Sequence, residues 1–100
     1  MTSILKYSCL PSPEFALMMP QDAEVIAFGH QSGVPVFWAR CRRGNPLVER
    51  KFLILPTGVE NEKLDLISTV HLGTINMLLE ADVHLVFHLF EITGGSNNDA

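Results

Sequence analysis

Histidines, two cysteines and a cluster of basic side chains are the parts of this chain whose types and spacing suit chemistry. His84 and His88 stand four apart in the apolar run Val83-His84-Leu85-Val86-Phe87-His88-Leu89-Phe90-Glu91. On a helix that spacing would let two imidazoles share one metal ion. On a strand it separates them by roughly 13 Å, whereas a metal needs both nitrogens at about 2 Å. The run reads with a period of two, Val83, Leu85, Phe87 and Leu89 facing one way and His84, Val86, His88 and Phe90 the other, so a strand is predicted. A metal site would have to recruit His30 or His71 from elsewhere, and hydrogen-bonded structural histidines are the favoured reading.

Cys41 lies among Arg40, Arg42 and Arg43, and nearby cations favour a thiolate. Neither Cys9 nor Cys41 sits in a nucleophile motif, however, and two cysteines are too few to define a disulfide scaffold, so reduced thiols are expected. Glu60, Glu62 and Asp65 fall in a polar stretch where carboxylates are usually solvated. Phosphate-binding loop, hydrolase elbow and zinc-ribbon patterns are missing from the sequence. No catalytic residue, cofactor or metal is therefore assigned, and the chain is read as a non-enzyme.

The basic cluster is the stronger lead. Arg40, Arg42, Arg43, Arg50 and Lys51 surround the loop Gly44-Asn45-Pro46, with Phe37 and Trp38 close in sequence. Arg and Trp are frequent anchors of protein interfaces. Basic side chains beside aromatics also hold single-stranded nucleic acid, by phosphate contact and stacking. The bland alternative is that these charges only solvate one end of a hairpin. Trp38, Arg40, Arg42, Arg43, Arg50 and Lys51 are the candidate partner-binding residues. The formal net charge is −4, and the balance is positive up to residue 59 and strongly negative beyond it. An acidic sum argues against general nucleic-acid affinity, which comes mainly from neutralising phosphates. A protein partner is thus preferred, with single-stranded nucleic acid on segment 40–51 as the alternative and a structural or self-associating role third.

Short strands must position these residues. Runs at 4–10, 14–19, 24–30, 34–40, 48–55 and 83–91 have strand composition and are separated by turn formers such as Pro11-Ser12-Pro13 and Pro56-Thr57-Gly58. Gln31-Ser32-Gly33 links two of them as a hairpin, in which Glu24, Ile26, Phe28 and His30 share one face of the first arm, and Val36, Trp38, Arg40 and Arg42 one face of the second. Residues 64–79 suit an amphipathic helix by spacing, but Ile67, Thr69, Val70, Thr74, Ile75 and a central Gly73 favour a strand kinked or bulged near Gly73.

A hydrophobic content of 47% with 18% charge excludes wholesale disorder. The N-terminus makes a poor signal peptide, and the apolar runs fall short of the roughly 18 residues a spanning helix needs. The expected organisation is one β-rich domain over residues 1–93 with a flexible tail at 94–100. The expected fold is all-β and mainly antiparallel, a small sandwich or partly open barrel of about six to seven strands. Several strands are apolar on both faces, which points to a homodimer or docking on a larger partner.

Several pieces in order resemble a family of small uncharacterised proteins encoded by bacteriophages and prophages. They are Ile4-Leu5-Lys6-Tyr7, Met19-Pro20 with Ala23-Glu24-Val25-Ile26, Gln31-Ser32-Gly33-Val34-Pro35 with Trp38-Ala39, Glu49-Arg50-Lys51-Phe52, Thr57-Gly58, Leu72-Gly73-Thr74 and Leu85-Val86-Phe87-His88-Leu89-Phe90-Glu91. The chain departs from that pattern at Arg40-Cys41-Arg42-Arg43, where relatives place a hydrophobic residue and an acidic turn, and in a longer stretch from Asn76 to Val83. The resemblance implies a phage-encoded accessory protein in the cytoplasm of a bacterial host, and analogy with phage accessory proteins of this size extends that to binding and inhibiting a host or defence complex. It implies no activity and supplies no catalytic residues.

Overall fold

The alternation of apolar and polar residues becomes seven strands: β1 (Thr2–Ser8), β2 (Glu14–Pro20), β3 (Glu24–Gln31), β4 (Val34–Arg42), β5 (Leu47–Pro56), β6 (Thr69–Glu80) and β7 (Val83–Ile92). The computed structural model describes residues 1–9, 12–66, 68–80 and 82–93. The strand end expected at Leu10 with its Pro11 stop, and the tail expected over 94–100, lie outside the described residues. The strands form two antiparallel sheets, in the orders β1-β4-β3 and β2-β5-β7-β6, packed as a sandwich that does not close into a barrel. Among the described residues no helix is long and apolar enough to cross a membrane.

Residues that alternate along a strand must face opposite sides, and the inner sides meet in a core built on Met19, Phe37, Cys41, Phe52 and Leu89, all fully buried. Aromatic rings step across it from sheet to sheet. Tyr7 and Phe37 lie 5.4 Å apart, Phe37 and Phe52 5.0 Å, and Phe52 and Phe15 5.5 Å. Such pairs add about 0.5–1.5 kcal/mol each beyond the area they bury.

The hairpin of β3 and β4 turns at Ser32 and Gly33, both at positive φ (51° and 77°), the backbone that a two-residue turn between right-twisted strands requires. One expected face differs. The pairing shifts between Val25 and Ala27, so Phe28 pairs with the core residue Phe37 and points inward, away from Glu24. An inserted bulge residue flips every later side chain to the other face.

Residues 64–79 divide. Lys63–Leu66 is a single helical turn (α1), entered through Asn61, whose side-chain oxygen accepts from the Lys63 amide at 2.9 Å. The strand begins at Thr69, and its pairing with β7 shifts between His71 and Gly73, where a bulge was expected. The final strand runs from Val83 to Ile92 with Phe87 and Leu89 inward, while Val83 is 47% exposed. Glu91 also faces inward, because it stands opposite Phe52 of the core.

Candidate functional site

β4 is the middle strand of the three-stranded sheet, and its alternation decides what that sheet presents. Phe37, Ala39 and Cys41 are buried on the inner side, which leaves Trp38, Arg40 and Arg42 on the outer one. Pairing then assembles rows across the sheet: Thr2 beside Arg42; Ile4, Arg40 and Glu24 together; Lys6, Trp38 and Ala27 together. Ile4 is 59% exposed, so this face lies open to solvent. Trp38 is half-buried because it leans over Gly29, where a side-chain carbon would stand 3.2 Å from its ring, so that a larger residue there would require the ring to shift by a few tenths of an ångström.

Polar contacts on the same face are light. Arg40 pairs with Glu24 at 2.7 Å with both side chains more than half exposed, and Lys6 donates to the Gln31 side chain at 2.7 Å. Such an exposed pair is worth about 0–1 kcal/mol. Arg42 and Arg43 have no acidic partner within salt-bridge distance among the described residues. Arg43 begins the turn after β4, and its amide donates to the Met1 carbonyl. A shallow cleft of about 480 Å³, lined by Thr2, Asp22, Glu24, Arg40, Arg42 and Asn45, runs beside these arginines. The face therefore offers an aromatic and an aliphatic anchor with basic groups at one end.

The six candidate residues do not all meet. Trp38, Arg40 and Arg42 share the outer face, and Arg43 adjoins it. Lys51 pairs with Ala16 and Ile92 in the other sheet and is exposed there. Arg50 points into the sandwich. Its Nε and Nη2 each donate to Glu91 at 2.7 Å and its Nη1 to the Ala23 carbonyl, and both ionised side chains are only 16–17% exposed. The Glu91 carboxylate, more than the cost of burial, holds the Arg50 guanidinium above its ordinary pKa. Arg50 is thus a cross-link between strands. Lys6, Ile4 and Glu24, not singled out in the sequence, take the places beside Trp38 and Arg40. Only strand register reveals them.

The cysteines are both free and buried. Cys41 faces away from the arginines that flank it, with the Tyr7 hydroxyl 3.9 Å from its sulfur and its thiol donating to the Ala39 carbonyl at 3.6 Å. Cys9 follows β1 near Pro35, whereas Cys41 pairs with Ser3 at the strand's other end, so β1 holds the two apart by roughly 20 Å. Burial pushes the Cys9 thiol up to about 11 from its ordinary 9.0. A neutral thiol in the fold and an ionisable one in the unfolded chain give a definite sign. Stability is unaffected below about pH 9, falls as pH rises towards about 11, and levels off above it. Thermal melts across that window should show the fall, and Cys9→Ala should reduce it; a slope identical in the variant would assign it to Tyr7, whose hydroxyl is also raised, by burial first and by Cys41 second.

Histidines occupy the outer face of the four-stranded sheet. His88 Nε2 lies 2.7 Å from the Thr57 hydroxyl and its Nδ1 2.9 Å from the Thr74 hydroxyl, which is 3.0 Å from His71 Nε2. Thr57-Gly58, Leu72-Gly73-Thr74 and Leu85–Glu91, distant in sequence, meet in this network. It ties the segment after β5 to β6 and β7. His84 stands apart, 3.1 Å from the Asn76 side-chain oxygen. Among the described residues no group of three His, Cys, Asp or Glu side chains is placed to hold a metal ion.

A family model, Domain of unknown function (DUF7352), matches residues 1–98. No curated protein and no solved structure matches the chain.

Proposed function

The chain belongs to the DUF7352 family, and on that footing we propose that it works by binding a protein through the outer face of its three-stranded sheet. The observation that carries this reading is the placement of Trp38, Arg40 and Arg42 on one open sheet face, with Ile4 and Lys6 beside them. Trp and Arg dominate binding energy at protein interfaces because they combine large contact area with directional hydrogen bonds. Arg42 and Arg43 suit an acidic patch on the partner, and Trp38 and Ile4 supply the apolar centre. The resemblance of the ordered segments from Ile4 to Glu91 extends the proposal: a phage-encoded accessory protein in the cytoplasm of a bacterial host, binding and inhibiting a host or defence complex.

Single-stranded nucleic acid is the rival ligand, and the structure weakens its basis. With Arg50 tied to Glu91 and Lys51 on the other sheet, the face keeps few charges for phosphates. Capture from a nuclease-treated bacterial lysate, with the wild type and an Arg42→Glu/Arg43→Glu variant side by side, tests the reading. A protein retained by the wild type and lost by the variant is the expected result. Retention by both would remove this face from the function. Recovery only without nuclease, with affinity for bare oligonucleotides falling steeply in salt, would replace the protein partner by nucleic acid.

A further inference from the structure

Each sheet ends in two outer strands, β1 and β3 in one, β2 and β6 in the other. An outer strand presents a row of unpaired amides and carbonyls that invites another strand, and natural proteins blunt it with charge, proline or bulges. β1 carries Lys6, β2 carries Glu14 and Pro20, and β3 carries Glu24 and a bulge. β6 differs. It is the longest strand, with 12 residues, among the described residues it is hydrogen-bonded to β7 alone, and it has neither a charged residue nor a proline from Thr69 to Leu79. Its two irregularities, at His71/Gly73 and Leu78/Glu80, leave an uninterrupted run from Gly73 to Leu78 between them. Val70 and Leu78 on this strand are 50% and 60% exposed. β3 crosses the inner side of β6, with Phe28 against Gly73, but the two are not paired.

We propose that β6 pairs antiparallel with β6 of a second copy of this chain, joining two four-stranded sheets into one of eight strands. The occupant follows from the charge pattern. A two-fold axis normal to the sheet sets the strand against its own reversed copy with like faces together, and like charges placed opposite one another destabilise a strand pair. A run with no charge meets none in its copy. The same operation sets the buried inner residues Ile75 and Met77 beside their counterparts, so the apolar layer continues across the junction. Eight strands lie within the usual range for an open twisted sheet. This surface is separate from the face around Trp38, so either proposal can fail alone.

Sedimentation equilibrium of the full chain over a concentration series is the test, with a Val70→Lys/Leu78→Lys variant alongside. The wild type is expected to reach the mass of two chains, and the variant to stay at one with an unchanged circular dichroism spectrum. A wild type that remains monomeric throughout, or a lysine variant that dimerises as tightly, overturns the proposal. Should the variant not fold, amide hydrogen exchange of the wild type decides: β6 amides must exchange more slowly as concentration rises, and rates independent of concentration overturn it.

Discussion

Arg50→Ala is expected to lower the free energy of unfolding by about 2–3 kcal/mol, the cost of leaving a part-buried charge without its hydrogen-bonding partner and below the figure for a fully buried pair. The geometry is that of a paired fork: two guanidinium nitrogens reach the two Glu91 oxygens at 2.7 Å each, and a third nitrogen meets the Ala23 carbonyl. Removing the guanidinium leaves a carboxylate and a carbonyl without donors where little water reaches, since the two side chains are 17% and 16% exposed. A protein of this size has about 5–15 kcal/mol in total, so the loss is a sizeable fraction of its stability. Removing both charges together, as Arg50→Leu/Glu91→Leu, should recover most of the loss, because no unpaired charge remains. Urea midpoints of the two variants measure this. The exposed pair Arg40–Glu24 is the internal contrast: Arg40→Ala should cost about 0–1 kcal/mol. If Arg50→Ala costs no more than Arg40→Ala, solvent compensates Glu91 and the cross-link is not structural.

The second large effect is on binding. Arg40→Ala/Arg42→Ala/Arg43→Ala, and separately Trp38→Ala, are each expected to weaken the partner complex by about a hundredfold, the scale of interface anchors that each contribute 2 kcal/mol or more. The triple variant should keep its stability within about 1 kcal/mol, since its three side chains are solvated and, among the described residues, only Arg40 makes an ion pair. Trp38→Ala will also lose packing over Gly29, so its binding loss must be read against its own melting curve. Replacing all four arginines would confuse the two effects, because Arg50 supports the fold. Isothermal titration against the captured partner separates them. Full affinity in the triple variant would show that the complex forms elsewhere on the molecule.

Alternation and turn chemistry were enough to read the strands and their antiparallel character in the sequence. Ser32-Gly33 marks a hairpin because glycine accepts the left-handed backbone its turn needs, and the run from Val83 to Glu91 reads as a strand because its apolar side chains recur every second residue. The clustering of Trp38 with Arg40 and Arg42 was also legible, since residues two apart on a strand share a face. The short helical turn at Lys63–Leu66 was not, because four residues are too few for helical periodicity to show. The outward or inward sense of Phe28 was hidden by a bulge, a single unpaired residue with no compositional mark.

What the sequence determined alone was local: which stretches are extended, where they turn, and which side chains of one strand stand together. Tertiary structure decided everything that depends on how separate strands meet. Arg50 and Lys51 are neighbours in the chain, yet one is turned inward and part-buried against Glu91, 41 residues away, and the other is exposed on the outer face of its sheet. Cys41 is flanked by arginines in sequence and hidden from them in space, while His71 and His88 converge on one threonine. The physical reason is the two-residue repeat of a strand, which sends adjacent side chains to opposite faces. Their new neighbours are set by strand order and register, which no local run of residues specifies.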